Sequence, residues 1–184
     1  MTPIQMIHIH YRGKFLSLLD SDDATPLYTV KVCRETPQME LVRMNRSAAA
    51  QNTSPQIPEP CTASFNYLSL NVSLSIRGIQ VRLKRHGTFS RTYAFESTAS
   101  PGTTMLWEAD GALTGDFKLS DQFTGRVVAR FRNRLFSTSE VGSLEMIGEV
   151  EEVLQEEIVI SCLAVLVMVQ SLNLATMVLV GGSP

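Results

Sequence analysis

The sequence predicts a mainly β fold: a closed antiparallel β-barrel of about twelve strands around a central hydrophobic C-terminal α-helix. Three observations predict it. Most of the chain before residue 149 breaks into short segments of alternating or β-branched residues, bounded by turn chemistry. The segment Ile158–Val169 (IVISCLAVLVMV) carries no charge, and a helix apolar all round must be enclosed by protein or by lipid. Ten to twelve strands form a sheet that must curl, split or close, and a closed sheet of that size has a lumen its own side chains do not fill. A helix in the lumen answers both demands, as in the eleven-stranded cans with a central helix.

The elements follow in order. Strands are expected at 4–10, 14–20, 27–33 and 39–45, with Asp20-Ser21-Asp22-Asp23 supplying polar turn chemistry between the second and third. Arg46–Pro60 (RSAAAQNTSPQIPEP) loses the hydrophobic pattern and reads as an exposed loop, at about 46–62, within a single domain spanning 1–184. Leu68, Leu70, Val72, Leu74 and Ile76 then alternate with Ser69, Asn71, Ser73 and Ser75, a period of two with one dry face. Gly78 permits a tight reversal, after which Ile79, Val81 and Leu83 continue the apolar face opposite Gln80, Arg82 and Lys84. Further strands are expected at 91–97, 104–109, 114–120, 125–136 and 142–148, with Trp107 and Phe117 packed on the core. In 125–136, Val127, Ala129, Phe131 and Leu135 are set to point inward, against Arg126, Arg130, Arg132 and Arg134.

Glu149–Glu157 (EVEEVLQEE) is rich in helix formers and acids, so a helix is expected from 149–152 through Val169, with these acids as its solvated start. The β-branched residues within it leave a strand as the alternative; a run of more than a dozen apolar residues exceeds the usual strand. Met177–Val180 reads as a last short strand. As a bilayer span, the run of twelve reaches only ~18 Å at 1.5 Å per residue, against a hydrocarbon core of ~30 Å.

Composition excludes several function classes. A net charge of −2 gives no global electrostatic case for nucleic acid. The charge is unevenly spread, however: residues 77–134 hold ten basic and five acidic side chains, and from Glu140 onward there are seven acids and no Lys or Arg. Cys33, Cys61 and Cys162 have no metal spacing, and an odd, sparse set fits a reducing compartment. MTPIQMIHIHYRGK has no secretory pattern, so the sequons at Asn45, Asn52 and Asn71 read as chance matches. Nothing matches a nucleophile elbow, a P-loop or a dinucleotide fingerprint.

Several segments carry a resemblance. Phe15-Leu16-Ser17-Leu18-Leu19-Asp20 with Pro26-Leu27-Tyr28-Thr29-Val30-Lys31 resembles an opening hairpin of the tubby C-terminal-like superfamily. Asp121-Gln122-Phe123-Thr124-Gly125-Arg126-Val127-Val128-Ala129-Arg130-Phe131 resembles its later turn and strand. Gly142–Met146 followed by Glu157–Ser161 resembles its last strand and central helix, especially in fungal members. The superfamily includes tubby, the LURP-one-related plant proteins and the phospholipid scramblases. Asp22-Asp23-Ala24-Thr25 stands where it usually has an Asp-Gly turn. The resemblance implies a twelve-stranded barrel around a hydrophobic helix, and non-catalytic binding of membrane phosphoinositides as tubby performs it. Tubby's headgroup-binding residues have no match at positions of this chain, and the scramblases' calcium-binding segment is not recognisable.

The site-like feature is basic. Arg130, Arg132 and Arg134 fall at alternate positions of one strand, about 6.5–7 Å apart, with Arg126 nearby; Arg82, Lys84 and Arg85 enlarge the patch if the strands are neighbours. Arg forks bind phosphate oxygens bidentately; the competing reading is that these charges solvate an outer strand face and deter edge pairing. His8 and His10 share a strand face without an assignable third metal ligand. Asp20, Asp22 and Asp23 lack the Gly and the closing Glu of a calcium loop, and Cys162 reads as a small core residue. The function expected is therefore a non-catalytic, monomeric binding or scaffold module without cofactor or metal. It would be cytoplasmic and peripheral at membranes, with an anionic membrane lipid as candidate ligand, an unspecified protein partner and no nucleic acid. The alternative is a tail-anchored membrane protein with a scramblase-like role.

Overall fold

The computed structural model describes residues 4–44, 59–66, 71–87, 91–111 and 114–169. Twelve strands precede one helix: β1 Ile4–Arg12, β2 Phe15–Leu19, β3 Pro26–Val32, β4 Met39–Arg43, β5 Cys61–Asn66, β6 Asn71–Ile76, β7 Ile79–Arg85, β8 Tyr93–Glu96, β9 Thr104–Ala109, β10 Phe117–Asp121, β11 Val127–Asn133, β12 Glu140–Ile147 and α1 Glu152–Met168. Every strand pairs antiparallel with the next in sequence, and β1 with β12 closes the barrel, in register from Ile4↔Ile147 to Ile9↔Gly142. This meander has two ends. The upper end carries the β1–β2, β3–β4, β7–β8, β9–β10 and β11–β12 turns. The lower end carries the β2–β3, β6–β7, β8–β9 and β10–β11 turns, and α1 enters there.

The alternating pattern does what its period dictates. Val72, Leu74 and Ile76 are buried while Asn71 and Ser73 face out. Arg77 and Gly78, both with positive φ (48° and 84°), make the two-residue reversal into β7, the backbone that primed hairpin turns require. Ile79 departs from expectation. At the very start of β7, on the lower rim, it is exposed, and the inward face of that strand begins at Val81. Leu135 departs likewise: β11 ends at Asn133, and Leu135 lies in the following turn. Gly142 is set by close approach: a Cβ there would meet the Arg132 carbonyl oxygen at 2.3 Å and the Phe131 ring at 2.6 Å.

β5 was not expected. The loop read to about residue 62 gives way to a strand at Cys61, and Cys61, Ala63 and Phe65 face inward. Most of that loop, residues 67–70 and the short strand expected at Met177–Val180 lie outside the described residues.

α1 fills the lumen. Every residue from Gln155 to Val167 is buried, on all sides of the helix. Ile7, Leu18, Val30, Leu74, Leu83, Phe95, Trp107 and Phe131 belong to the core that surrounds it. Each such side chain contributes about 1.5–3 kcal/mol on full burial, so the helix and the inward wall stabilise each other. Trp107 is fully buried and satisfies its ring N–H within the core, donating to Ser161 Oγ at 3.0 Å. Among the described residues no helix is long and apolar enough to cross a membrane.

Candidate functional site

The six cations singled out from the sequence do not form one patch. Three strands lie between β7, which carries Arg82 and Lys84, and β11, a separation of roughly 19 Å at ~4.8 Å per strand. Arg126 precedes β11, in the β10–β11 turn at the lower end, whereas Arg134 follows it at the upper end.

The β11 arginines are already occupied. Arg130 Nη1 lies 2.6 Å from Asp110 Oδ2, and Arg132 Nη1 lies 3.2 Å from the same oxygen and 3.5 Å from Asp116 Oδ2. Asp116 is fixed in turn by accepting the Asn133 backbone N–H at 2.8 Å. Arg134 Nε sits 3.6 Å from Glu140 Oε2. This face is an ion-pair ladder that staples β11 to the β9–β10 turn. Its forks point at carboxylates of the same chain.

Arg82 and Lys84 are differently placed. They project outward from β7 together with Gln80, and neither has an ion pair among the described residues. β7 and β8 pair only at Lys84↔Ala94 and Arg85↔Tyr93. Below those pairs the two strands diverge, and the split opens as a groove of about 670 Å³. Gln80, Arg82 and Lys84 belong to its β7 wall; Glu96, Ser97 and Thr98 belong to the other. Two cations and an amide thus line one concavity together with the Glu96 carboxylate, while the Ser97 and Thr98 hydroxyls donate to Glu157. Glu96 is within ion-pair distance of neither cation.

Of the acids at the start of α1, Glu151 and Glu152 are exposed as the sequence suggested, but the later ones are not. Gln155, Glu156 and Glu157 are buried. Glu157 Oε2 accepts from Ser97 Oγ at 2.7 Å, and its Oε1 accepts from the Thr98 N–H (2.5 Å), the Ala99 N–H (2.9 Å) and the Thr98 hydroxyl. Glu156 accepts from Arg77 Nε at 2.7 Å, and Arg43 Nη1 lies 2.6 Å from Glu152 Oε2, with Arg77 bridging to Glu152 as well. The Cys61 thiol points at Glu156 Oε2 (3.8 Å) and is pushed up to about 11, chiefly by burial, so it is no nucleophile at neutral pH. These contacts tie the helix entrance to β4, the β6–β7 turn and the β8–β9 turn. The signal available in the sequence was the i, i+4 spacing of Glu152 and Glu156, which puts both carboxylates on one face.

Glu152 carries a pH dependence. Burial raises its carboxyl, but the Arg77 hydrogen bond and the Arg43 and Arg77 charges outweigh that and leave it below the ordinary 4.5. A lowered folded value stabilises the fold above the unfolded value and loses that contribution as pH falls through the folded one. Glu152→Gln is expected to cost about 0.5–1 kcal/mol at pH 7, the scale of a half-exposed pair. Denaturant melts of both proteins should converge as the pH falls through the lowered folded-state value of Glu152.

The remaining candidates are local. His10 Nε2 meets Asp23 Oδ1 at 2.7 Å and His8 Nδ1 lies 3.6 Å from Glu140 Oε1. No group of three His, Cys, Asp or Glu set for a metal occurs among the described residues. Asp22 caps its own turn: the Thr25 hydroxyl and the Thr25 and Ala24 N–H groups hold its carboxyl down to about 2.

No family model and no curated protein matches the chain. Among solved structures it is similar to a protein from Arabidopsis thaliana, at 12% identity over 91% of each chain with a TM-score of 0.48.

Proposed function

We propose that this barrel is a tubby C-terminal-like, non-catalytic binding module that recognises anionic phospholipid headgroups through the β7–β8 groove. It would act as a monomer in the cytoplasm, reversibly at membrane surfaces. The observation that carries the reading is the groove itself: Arg82 and Lys84 face a concavity of about 670 Å³ without a carboxylate partner, beside the Gln80 amide. A guanidinium and an ammonium supply the fork and the point charge that phosphate oxygens take. The resemblance of Phe15–Asp20, Pro26–Lys31 and Asp121–Phe131 to the superfamily, and the twelve strands around a hydrophobic helix, support the family half of the proposal.

Vesicle cosedimentation tests it. Phosphatidylcholine vesicles containing a phosphoinositide are expected to bind the protein, less tightly at about 0.5 M salt, because the attraction is Coulombic and screened. Arg82→Ser with Lys84→Ser should weaken binding about thirtyfold, at ~1 kcal/mol per cation near an anionic surface. Arg130→Ser, Arg132→Ser and Arg134→Ser together should change it by less than about threefold, since Asp110, Asp116 and Glu140 already cancel those charges. The reverse ranking would move the site to β11. A protein that stays with vesicles through carbonate extraction would instead favour an anchored, scramblase-like role.

A further inference from the structure

We infer that the upper end of the barrel docks on the bilayer, with Leu135 and Phe136 inserting into the acyl region. The inference rests on the anionic-membrane part of the reading above and adds an apolar anchor at the upper end; the β7–β8 groove opens toward the lower end, near Phe123, so probes at the two ends tell docking by the tip from docking by the groove. Leu135 is 57% exposed and Phe136 100% exposed. They occupy the two central positions of a turn closed by the Ser137 N–H donating to the Arg134 carbonyl at 3.0 Å. Ser137 Oγ braces the turn from behind, accepting the Glu140 N–H at 2.9 Å and the Ser139 N–H at 3.3 Å. The turn, closed by these bonds, holds two large apolar side chains outward.

The neighbouring hairpin supplies the rest of the surface. β1 pairs with β12 beside this turn, and the Tyr11 N–H donates to the Ser139 carbonyl at 2.8 Å. The β1–β2 reversal, Arg12-Gly13-Lys14-Phe15, therefore stands about two strand spacings away, roughly 10 Å. Phe15 is 43% exposed, and Arg12 and Lys14 have no ion pair among the described residues. Arg34 and Arg91, in the β3–β4 and β7–β8 connections, face the same end and likewise have no ion pair there. Of the acids at this end, Asp110, Asp116 and Glu140 are taken up by Arg130, Arg132 and Arg134, which leaves Glu35, beside Arg34 in the β3–β4 connection. An aromatic and aliphatic tip ringed by an excess of cations matches a bilayer interface with anionic headgroups, where apolar insertion and surface charge act together.

The lower end is a built-in control. Phe123 is 98% exposed there, in the β10–β11 turn. Acids outnumber free cations at that end: Asp121 and Arg126 flank its own turn, Asp20, Asp22 and Asp23 lie in the β2–β3 turn, and Glu149 and Glu151 precede α1. An equally bare aromatic side chain is thus paired with the charge that an anionic bilayer repels.

The experiment places a tryptophan at each tip of the full chain. The native tryptophan, Trp107, is buried and serves as a constant background. Phe136→Trp is expected to shift its emission to the blue, and to be quenched by brominated acyl chains, on phosphatidylcholine–phosphatidylserine vesicles and not on phosphatidylcholine alone. Phe123→Trp is expected to do neither. Leu135→Ser with Phe136→Ser should weaken vesicle binding at least tenfold while leaving the melting temperature and the binding of a soluble inositol phosphate unchanged. Vesicle binding with no response at Phe136→Trp overturns insertion and leaves headgroup recognition standing. An equal response at Phe123→Trp overturns the orientation. Binding of soluble inositol phosphate without any vesicle binding overturns the docking alone; loss of both overturns the lipid reading with it.

Discussion

Leu163→Asp is expected to leave the chain without a cooperative thermal transition. Leu163 is fully buried in α1, inside a wall of inward side chains. The nearby polar pair, Trp107 Nε1 and Ser161 Oγ, is already joined, so a new carboxylate finds no donor. The effective penalty for an unpaired buried ion is several kcal/mol, and the lost apolar burial adds about 1.5–3 kcal/mol. Together these approach the whole margin of about 5–15 kcal/mol that keeps a domain folded. Protonation lets the residue shed its charge, but a neutral carboxyl without partners still costs more than the methylenes it replaces. Leu163→Ala gives the graded comparison, with an expected loss of about 2–5 kcal/mol in denaturant unfolding. Wild-type-like melting of Leu163→Asp would mean that solvent reaches the helix and that the barrel does not enclose it.

Glu157→Ala is expected to cost about 3 kcal/mol, although alanine is the better helix former. The change strands the Ser97 hydroxyl and the Thr98 and Ala99 amides, all of which converge on the one carboxylate. Hydrogen bonds to a charged acceptor contribute about 1.5–3 kcal/mol each, and donors left unsatisfied inside cost a further 1–3. Water at the barrel mouth recovers part of that, which sets the figure at the lower end. Glu157→Gln keeps the shape and one acceptor oxygen, and should lose about 1 kcal/mol. Glu151→Ala, exposed and without a side-chain cap bond, should stay within about 0.5 kcal/mol. Amide exchange gives a second readout: Thr98 and Ala99 should exchange faster in Glu157→Ala without a matching change in the β1–β12 seam.

The architecture was legible because it rests on periodicity, a local property. The alternation through Val72, Leu74 and Ile76 and the charge-free run from Ile158 each state a face or its absence within a few residues. β5 was missed because its inward residues, Cys61 and Ala63, are small, and they follow a proline-rich stretch that broke the pattern. The acids of the helix start were misread for a different reason. Glutamates in a first helical turn look the same whether they face water or distant donors, and Arg43, Arg77, Ser97 and Thr98 reach them from far along the chain. The arginine ladder shows the converse error. Its cations were visible on one strand, but their partners Asp110 and Asp116 sit across a turn of two other strands. In a meander, position in the sequence is position around the wall. β7 and β11 were therefore never going to share a patch, and strand order alone separates Arg82 and Lys84 from Arg130, Arg132 and Arg134.

Among the described residues, twelve strands precede α1 in the chain. A ribosome therefore delivers the shell before its filling. Until α1 emerges, the nascent sheet has nothing to close upon, and greasy inward faces stand open. Such a species is prone to stick to its neighbours. The expected consequence of a core supplied after its wall is a refolding yield that falls steeply with protein concentration, which dilution refolding at graded concentrations measures.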